Sequence, residues 1–600
     1  MSSVKFRKDV TGLRGVAVIL VLLFHYQAPF FSNGYIGVDV FFVISGYVIT
    51  LGTISRLENG QFSIMAFYIS RFKRLFPALS LMVICTYFVS AFLYFPESFK
   101  SVGQFVVSTL FFLTNFLLYF KQRDYFGLEN GENPLFHTWS LGVEWQFYFL
   151  FPFFFKLIFD PRKRVFFAKL VCTASFFFYI LNYANQNAVF YLPIYRLWEI
   201  MVGVVLAFQE RKGGAKYSLL LGFLLIVCGL IFNLGNKYLD FNVIAAVIGT
   251  IFIIRSNPVE FLSVRALQNY FITFVGLISY SLYLWHIPIY SLVGVLFSDE
   301  TQLILTLIIL LPVAILSYKF VESKGRLMST RAITLLPLIV TAIIVAFLGF
   351  IGHLNGGYKE RSQLFMNLSA NNGFGLNCSD NSQNVSHCRS TPHPEIALLG
   401  NSYAMVFVSP LVKADYPVLQ LTKDSCAIGY VDVVVDVNSN HSCANFYRDA
   451  VRTIVADPKI KVVILSSTFE KEMKNAHFKR SFRELLGHLE NKQVIVIGPT
   501  PRSPFNVGNC ILKNNFLGSP DDCSFRLSET HNKLITQIEK EIAKTQKNDF
   551  LDITPAICFN NECTMRLGSE NAMYIDTGHL SFAGASIVLK RLEDNGFTIP

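Results

Sequence analysis

A 600-residue chain that is 52% hydrophobic and only 16% charged, with 60 phenylalanines, is not built like a soluble protein. Its net charge of +11 would suit a nucleic-acid binder. The Lys and Arg residues instead cluster beside apolar segments, where positive charge fixes membrane orientation, so nucleic acid is excluded as a partner.

Apolar segments long enough to cross a bilayer fall at 12–30, 35–54, 76–95, 138–159, 165–184, 190–208, 217–234, 241–254, 271–297, 302–321 and 333–352. Lys5, Arg7 and Lys8 precede the first, which has no small-residue cleavage site, so no cleavable signal peptide is expected. A twelfth stretch, 104–120, is ambiguous, and charge decides it. If it does not span, the loops with Arg71/Lys73/Arg74, Arg162/Lys163/Arg164, Arg211/Lys212/Lys216, Arg255/Arg265 and Lys324/Arg326/Arg331 share the side of the N-terminus. If it spans, every later basic loop changes sides. The positive-inside rule therefore predicts eleven spans, with 104–120 re-entrant or surface-lying, the N-terminus cytoplasmic and the C-terminal part outside.

Within these segments the polar residues carry the information. Arg14 and His25 lie eleven residues apart, nearly three helical turns, so they share one face about 16 Å apart. Ionisable side chains are costly in hydrocarbon and usually line a bundle interior or a wet cavity. On the predicted topology Arg14, Arg71, Arg74, Tyr318 and Glu322 sit near the inner face; His25, Asp39, His137, Trp139, Ser140, Glu144 and His286 sit nearer the outer one. Arg196 and Glu199 are one turn apart and able to pair. Arginine forks suit a phosphorylated donor, and histidine suits general base work near neutral pH. The layout fits transfer of an activated group from a cytosolic phosphorylated donor to an acceptor outside.

Beyond the last span, Glu395-Ile-Ala-Leu-Leu-Gly-Asn-Ser402 reads as a buried strand, a glycine turn and a serine opening a helix, whose N-terminal amides are expected to stabilise an oxyanion. Asp576-Thr-Gly-His579 lies near the end, so Ser402, His579 and Asp576 form a candidate nucleophile, base and orienting acid. Apolar runs at 461–465 and 493–497 read as buried parallel strands and 526–545 as helical, an α/β layered domain. Eight cysteines fall in four local pairs: Cys378/Cys388, Cys426/Cys443, Cys510/Cys523 and Cys558/Cys563. They predict four disulfides and an oxidising compartment rather than zinc, because no CxxC knuckle is present. Cys85, Cys172 and Cys228 lie in apolar segments, as buried small hydrophobes do.

The segments LRGVAVILVLLFH, GVDVFFVISGYVIT, RFKRLFP, HTWSLGVEWQFYFLFP, YRLWEIMVG, LISYSLYLWHIPI and SYKFVES together resemble the membrane-bound acyltransferase-3 family, over nearly all of residues 8–326. The resemblance implies O-acylation of sugars, with acetyl-CoA as the acyl donor. It implicates Arg14, His25, Arg71, Arg74 and Glu144, with Arg71 and Arg74 toward the donor and His286 as a weaker candidate. The C-terminal part resembles the SGNH hydrolase family, often fused to this membrane module. Two departures stand out: Gly400-Asn401-Ser402 where that family has Gly-Asp-Ser, and Leu465-Ser-Ser-Thr-Phe where an oxyanion asparagine is usual.

The expected architecture is a membrane domain at 8–326, a linking helix and linker at 327–374, and a periplasmic SGNH-like domain with a parallel sheet at 375–600. The expected function is an O-acetyltransferase of the bacterial inner membrane, acting on a cell-envelope glycan outside, lipopolysaccharide O-antigen first and peptidoglycan after it. The alternatives are a membrane-anchored carbohydrate esterase, and a transporter with an extracytoplasmic receptor domain. No metal is expected.

Overall fold

The computed structural model describes residues 7–594 except 122–132, 159, 184, 210–217, 233–239, 257–266, 298, 329–331, 362, 370, 430–439, 471, 474–475, 519–521, 546–547 and 569–570. Lys5, Arg211, Lys212, Lys216, Arg265 and Arg331 of the topology argument lie outside the described residues. The chain divides into two compact units, Met1–Gly357 and Tyr358–Pro600.

The first unit is helical. In order come α1 (Lys8–His25), α2 (Gly37–Glu58), α3 (Ile64–Leu93), α4 (Pro96–Leu110), α5 (Thr114–Phe120), α6 (Trp139–Leu157), α7 (Pro161–Leu181), α8 (Gln186–Tyr191), α9 (Pro193–Phe208), α10 (Ser218–Ile231), α11 (Phe241–Arg255), α12 (Tyr270–Leu277), α13 (Ser279–Leu296), α14 (Asp299–Leu316), α15 (Ser323–Leu327) and α16 (Ala332–Leu354). Among the described residues, each of the eleven predicted segments contains a helix. Among the described residues, five helices are long and apolar enough to cross a membrane, or six if α12 and α13, bent by 68°, are one span. The expected count of eleven is not reached on that measure, for two reasons. α9, α10 and α11 hold 16, 14 and 15 residues, a rise of about 21–24 Å against a hydrocarbon core of about 30 Å. α1 carries Lys8, Asp9, Arg14 and His25 within 18 residues, and α6 carries Glu144, Gln146 and Lys156 within 19.

The ambiguous 104–120 stretch is two helices broken at Phe111–Leu113, where Phe112 takes φ of 58°. α4 packs along α16, buries Phe99, Val102 and Phe105, and brings Gly103 against Gly349. α2 and α9 cross more tightly. A Cβ on Gly46 would lie 2.0 Å from Ile200 O, and one on Gly203 would lie 2.0 Å from Val43 O. Small residues at a crossing let helix backbones touch, and this crossing sets Asp39 beside Arg196.

The second unit is an α/β layer. Five parallel strands, β1 (Ile396–Gly400), β2 (Val418–Thr422), β3 (Val462–Ser466), β4 (Gln493–Ile497) and β5 (Asn548–Leu551), run in the order β2-β1-β3-β4-β5. β1, β2 and β3 are buried at every position, as strands covered on both faces must be, which explains their near-continuous apolar sequence. Helices Asn440–Ala456 and Ala476–His488 lay Tyr447, Ile454, Phe482 and Leu485 on Leu399, Leu421, Leu465 and Val496. All four predicted disulfides are present, Cys378–Cys388, Cys426–Cys443, Cys510–Cys523 and Cys558–Cys563. Strand order reverses at β1 and β3, and the crevice beyond the carboxyl ends there is where such sheets bind ligands.

Candidate functional site

Four of the candidate residues meet in one cavity of the helical unit. Arg14 of α1, Arg71 and Arg74 of α3 and Glu144 of α6 line a narrow space of about 90 Å³, with Tyr148, Ser140, Tyr280 and Tyr283. Most of its remaining wall is apolar, with Val38, Phe41, Phe42 and Leu75, interrupted by Ser45 and Ser279. Arg71 and Arg74 also line an adjoining wider recess of about 630 Å³ with Arg56, Lys73 and Arg326. The Glu144 carboxylate accepts from the Tyr148 hydroxyl. Three arginines share the cavity with one carboxylate, and Arg71 Nε is buried without a hydrogen-bond partner among the described residues. A buried guanidinium nitrogen without a partner is costly, and three arginines around one carboxylate suit an anionic ligand. The contrast within the unit is Arg196 of α9. It is paired with Glu199 at 2.9 Å, as its spacing predicts, and with Asp39 of α2 at 2.7 Å, which the spacing does not reveal.

Near the cavity, three buried imidazoles meet. His25 Nδ1 lies 2.9 Å from Val21 O and 3.3 Å from His286 Nε2. His286 Nδ1 lies 2.6 Å from Tyr283 O, and His137 Nε2 lies 3.1 Å from Leu284 O. Carbonyl oxygens only accept, so these contacts fix the tautomers. His25 and His286 carry the proton on Nδ1, and His137 carries it on Nε2. The basic nitrogen of neutral His25 is therefore Nε2. Tyr283 connects this cluster to the cavity: its hydroxyl contacts Ser140 Oγ at 2.5 Å and donates to His137 O at 2.9 Å. The structure keeps the sequence grouping of arginines and of histidines, and differs at Glu144 and Ser140, which were expected with the histidines and line the arginine cavity. Arg14, Arg71, Arg74 and Glu144 share the cavity, while His25 sits with His286 and His137.

In the second unit the three predicted residues form one chain of hydrogen bonds. Ser402 Oγ donates to His579 Nε2 at 2.8 Å, and His579 Nδ1 donates to Asp576 Oδ2 at 2.7 Å. Asp576 Oδ1 accepts the amides of Gly578 and His579 at 2.9 and 2.8 Å. Burial pushes the Asp576 carboxyl up, but its bond to His579, the His579 charge and the two amides outweigh it and hold it below the usual carboxylate range. Ser402 directly follows the turn after β1, where Gly400 takes φ of 154° and a Cβ would lie 2.1 Å from Ser466 O. Only glycine fits there.

Ser402 opens a helix as expected, Ser402–Met405, and a second short helix, Val408–Lys413, follows it. Asn401 is structural: its Oδ1 caps Tyr403 N at 3.0 Å and its Nδ2 donates to Ser467 Oγ at 3.0 Å. Ser467 in turn donates to Glu472 at 2.8 Å, so the end of β1 is tied to the end of β3. A polar recess of about 670 Å³ starts at Tyr403 and Thr468 and runs past Glu470, Arg502, Thr530 and Gln537. Tyr403 and His579 rings lie 4.4 Å apart.

Comparison with known proteins agrees with this division. Residues 7–321 match the family described as acyltransferase domain, and residues 377–594 match the SGNH domain fused to such acyltransferases. The chain is 29% identical over 351 residues to a peptidoglycan O-acetyltransferase OatA of Listeria monocytogenes, covering 54% of this chain and 56% of that protein. It is 29% identical over 369 residues to an O-acetyltransferase OatA of Staphylococcus aureus, covering 56% and 60%. The chain therefore spans just over half the length of these curated relatives. The periplasmic domain of a lipopolysaccharide acetyltransferase from Salmonella ser. Paratyphi A aligns with 41% of this chain and 97% of its own, at 17% identity and a TM-score of 0.30. With more than half of its 600 residues matched, the chain belongs to the acyltransferase-3 family of multi-pass membrane proteins, in the branch that carries a C-terminal SGNH domain.

Proposed function

We propose that this protein is an O-acetyltransferase that takes an acetyl group from acetyl-CoA on the cytoplasmic side of the bacterial inner membrane and gives it to a hydroxyl of a cell-envelope glycan in the periplasm. The observation that carries the donor half is the set of three arginines around one narrow cavity, with Arg71 Nε buried and unsatisfied. A coenzyme A thioester has phosphates at one end and a thin arm at the other. The wide recess of Arg56, Arg71, Lys73, Arg74 and Arg326 fits the phosphates, by bidentate contact. The narrow apolar space past Arg14 fits the arm, which points toward Ser140 and Tyr283. His25 Nε2 is then the base that takes a proton from the attacking hydroxyl, and it returns that proton to the departing thiolate. Eleven spans, with the basic loops inside, complete this reading.

The acceptor half rests on the outer triad. Ser402 Oγ, deprotonated by His579, attacks the acetyl ester formed on the hydroxyl that His25 activated, and His579 returns the proton to the alcohol that leaves, so that the acetyl group sits on Ser402 as an ester. The sugar hydroxyl, deprotonated in turn by His579, attacks that ester and frees Ser402. Asp576 holds the imidazole and balances its charge. The recess beside Tyr403, with Glu470, Arg502 and Gln537, offers the mixed donors and acceptors that sugar hydroxyls need. Lipopolysaccharide O-antigen is the acceptor we put first, and the relatives named for peptidoglycan put that glycan beside it. The test compares cells with and without the gene, scoring acetyl esters by NMR on lipopolysaccharide and by mass spectrometry on muropeptides. Esters lost from one polymer assign the acceptor, and unchanged esters on both would refute the reading. The complete triad also favours an anchored esterase as a second reading, and that enzyme would raise ester content when deleted.

A further inference from the structure

The contact between His25 and His286 has a directional chemistry. His286 Nδ1 faces the carbonyls of Tyr283 and Leu282, so neutral His286 turns an unprotonated Nε2 to the Nδ1–H of His25 at 3.3 Å. That hydrogen is shared with Val21 O at 2.9 Å. The two acceptors are not equivalent. A carbonyl oxygen can hold the hydrogen but cannot take the proton, whereas a second imidazole of the same intrinsic basicity can do both. Both rings are fully enclosed, His25 at 2% and His286 at 0% exposure. A charge formed on His25 therefore gains little from water. The His137 ring stands edge-on to His286 at 5.1 Å, and its own proton is committed to Leu284 O. Arg14, the nearest cation on α1 toward the cavity, is about 16 Å away along the helix.

We propose that His286 is the positioning residue of His25 and shares the proton that His25 gains during transfer. When His25 Nε2 takes a proton from the attacking hydroxyl, the N–H bond at His25 Nδ1 breaks and one forms at His286 Nε2. The positive charge then lies on His286, whose Nδ1–H stays on backbone carbonyls. When His25 Nε2–H protonates the departing thiolate, the Nδ1 proton returns, and both rings end neutral in their starting tautomers. No proton is gained or lost over the cycle. This inference rests on the reading of His25 as the base.

The test uses the full-length protein in lipid nanodiscs with acetyl-CoA as donor, measuring kcat and KM for release of free coenzyme A. His286→Gln puts an amide oxygen where Nε2 was, so it can accept the His25 hydrogen although it cannot take the proton. His286→Asn is one methylene shorter and withdraws the second acceptor from the His25 Nδ1–H, which keeps Val21 O. The expected result is a loss in kcat of about tenfold for His286→Gln and about a hundredfold or more for His286→Asn and His286→Ala, the lower part of the range for a general base. KM for acetyl-CoA should stay within twofold, since His286 does not line the arginine cavity. Equal losses in His286→Gln and His286→Asn, a change carried by KM, or wild-type rates in all three would overturn the proposal. His25→Ala is measured alongside. Full activity there sinks the underlying reading of His25, whereas an inactive His25→Ala with equal Gln and Asn variants sinks the role of His286 alone.

Discussion

The two units each hold a candidate histidine, and they orient it by different means. In the outer unit His579 is held by Asp576, a carboxylate whose side chain is 36% exposed and which is fed by two amides. In the helical unit His25 is held by a backbone carbonyl and a neutral imidazole. The difference follows from surroundings. A carboxylate near solvent keeps its charge cheaply, while a buried one needs its own counter-ion. Where the helical unit does bury carboxylates beside each other, at Asp39 and Glu199, it spends Arg196 on them. Neutral groups orient His25 at no such cost.

The comparison can be broken most sharply at the two centres. His25→Ala and Ser402→Ala are each expected to lower glycan acetylation by about 10²–10⁴, the range for losing a base or nucleophile, scored by NMR of acetyl esters at matched protein levels. Ser402→Ala combined with His579→Ala should cost little more than either alone, because such residues act as a unit. Full acetylation in Ser402→Ala cells would leave the outer unit as a binding module. The next effect belongs to the donor. Replacing Arg71 or Arg74 by Ala should raise KM for acetyl-CoA about tenfold or more, as expected from losing a charged contact worth about 1.5–3 kcal/mol, with kcat less affected. Wild-type KM in both variants would remove the phosphate role.

Smaller again is the disulfide framework. Converting Cys510 and Cys523 to Ser should lower the stability of the outer unit by about 2–4 kcal/mol, read by denaturant unfolding. The smallest effect sharpens the role of Asp576. Its carboxyl is held below its ordinary value when folded, so the stability it contributes is present above about pH 3.9 and is lost as pH falls through the lowered folded value. Wild type should therefore melt above Asp576→Asn at pH 7, and the gap should close in acid. A gap that stays constant would mean the carboxylate acts by shape alone.

Local relations in the chain were legible and distant ones were not. Arg14 and His25 share a face because helix geometry fixes an eleven-residue offset. The four disulfides were readable because each cysteine's partner is the next cysteine along. Arg196 and Glu199 pair at one-turn spacing. The triad was readable because strand-turn-serine and a late Asp-x-x-His are short patterns that an α/β sheet brings together. By contrast His25 and His286 are 261 positions apart, and Asp39 and Arg196 are 157 apart. The crossing of α2 with α9 and the packing of α1 against α12 and α13 create those contacts, and no local periodicity encodes a crossing point. The shortness of the helix at Ser402 was hidden too, since a serine after a glycine turn opens short and long helices alike.

The disulfides have a consequence for biogenesis. They link cysteines in strict succession, at separations of 10, 17, 13 and 5 residues. On the proposed topology, a chain threaded through a translocon N-terminus first presents each thiol with its native partner before the next pair emerges. Order of arrival then selects the native connectivity, so this unit is expected to mature under an oxidase that joins neighbouring thiols and to be indifferent to loss of a disulfide isomerase.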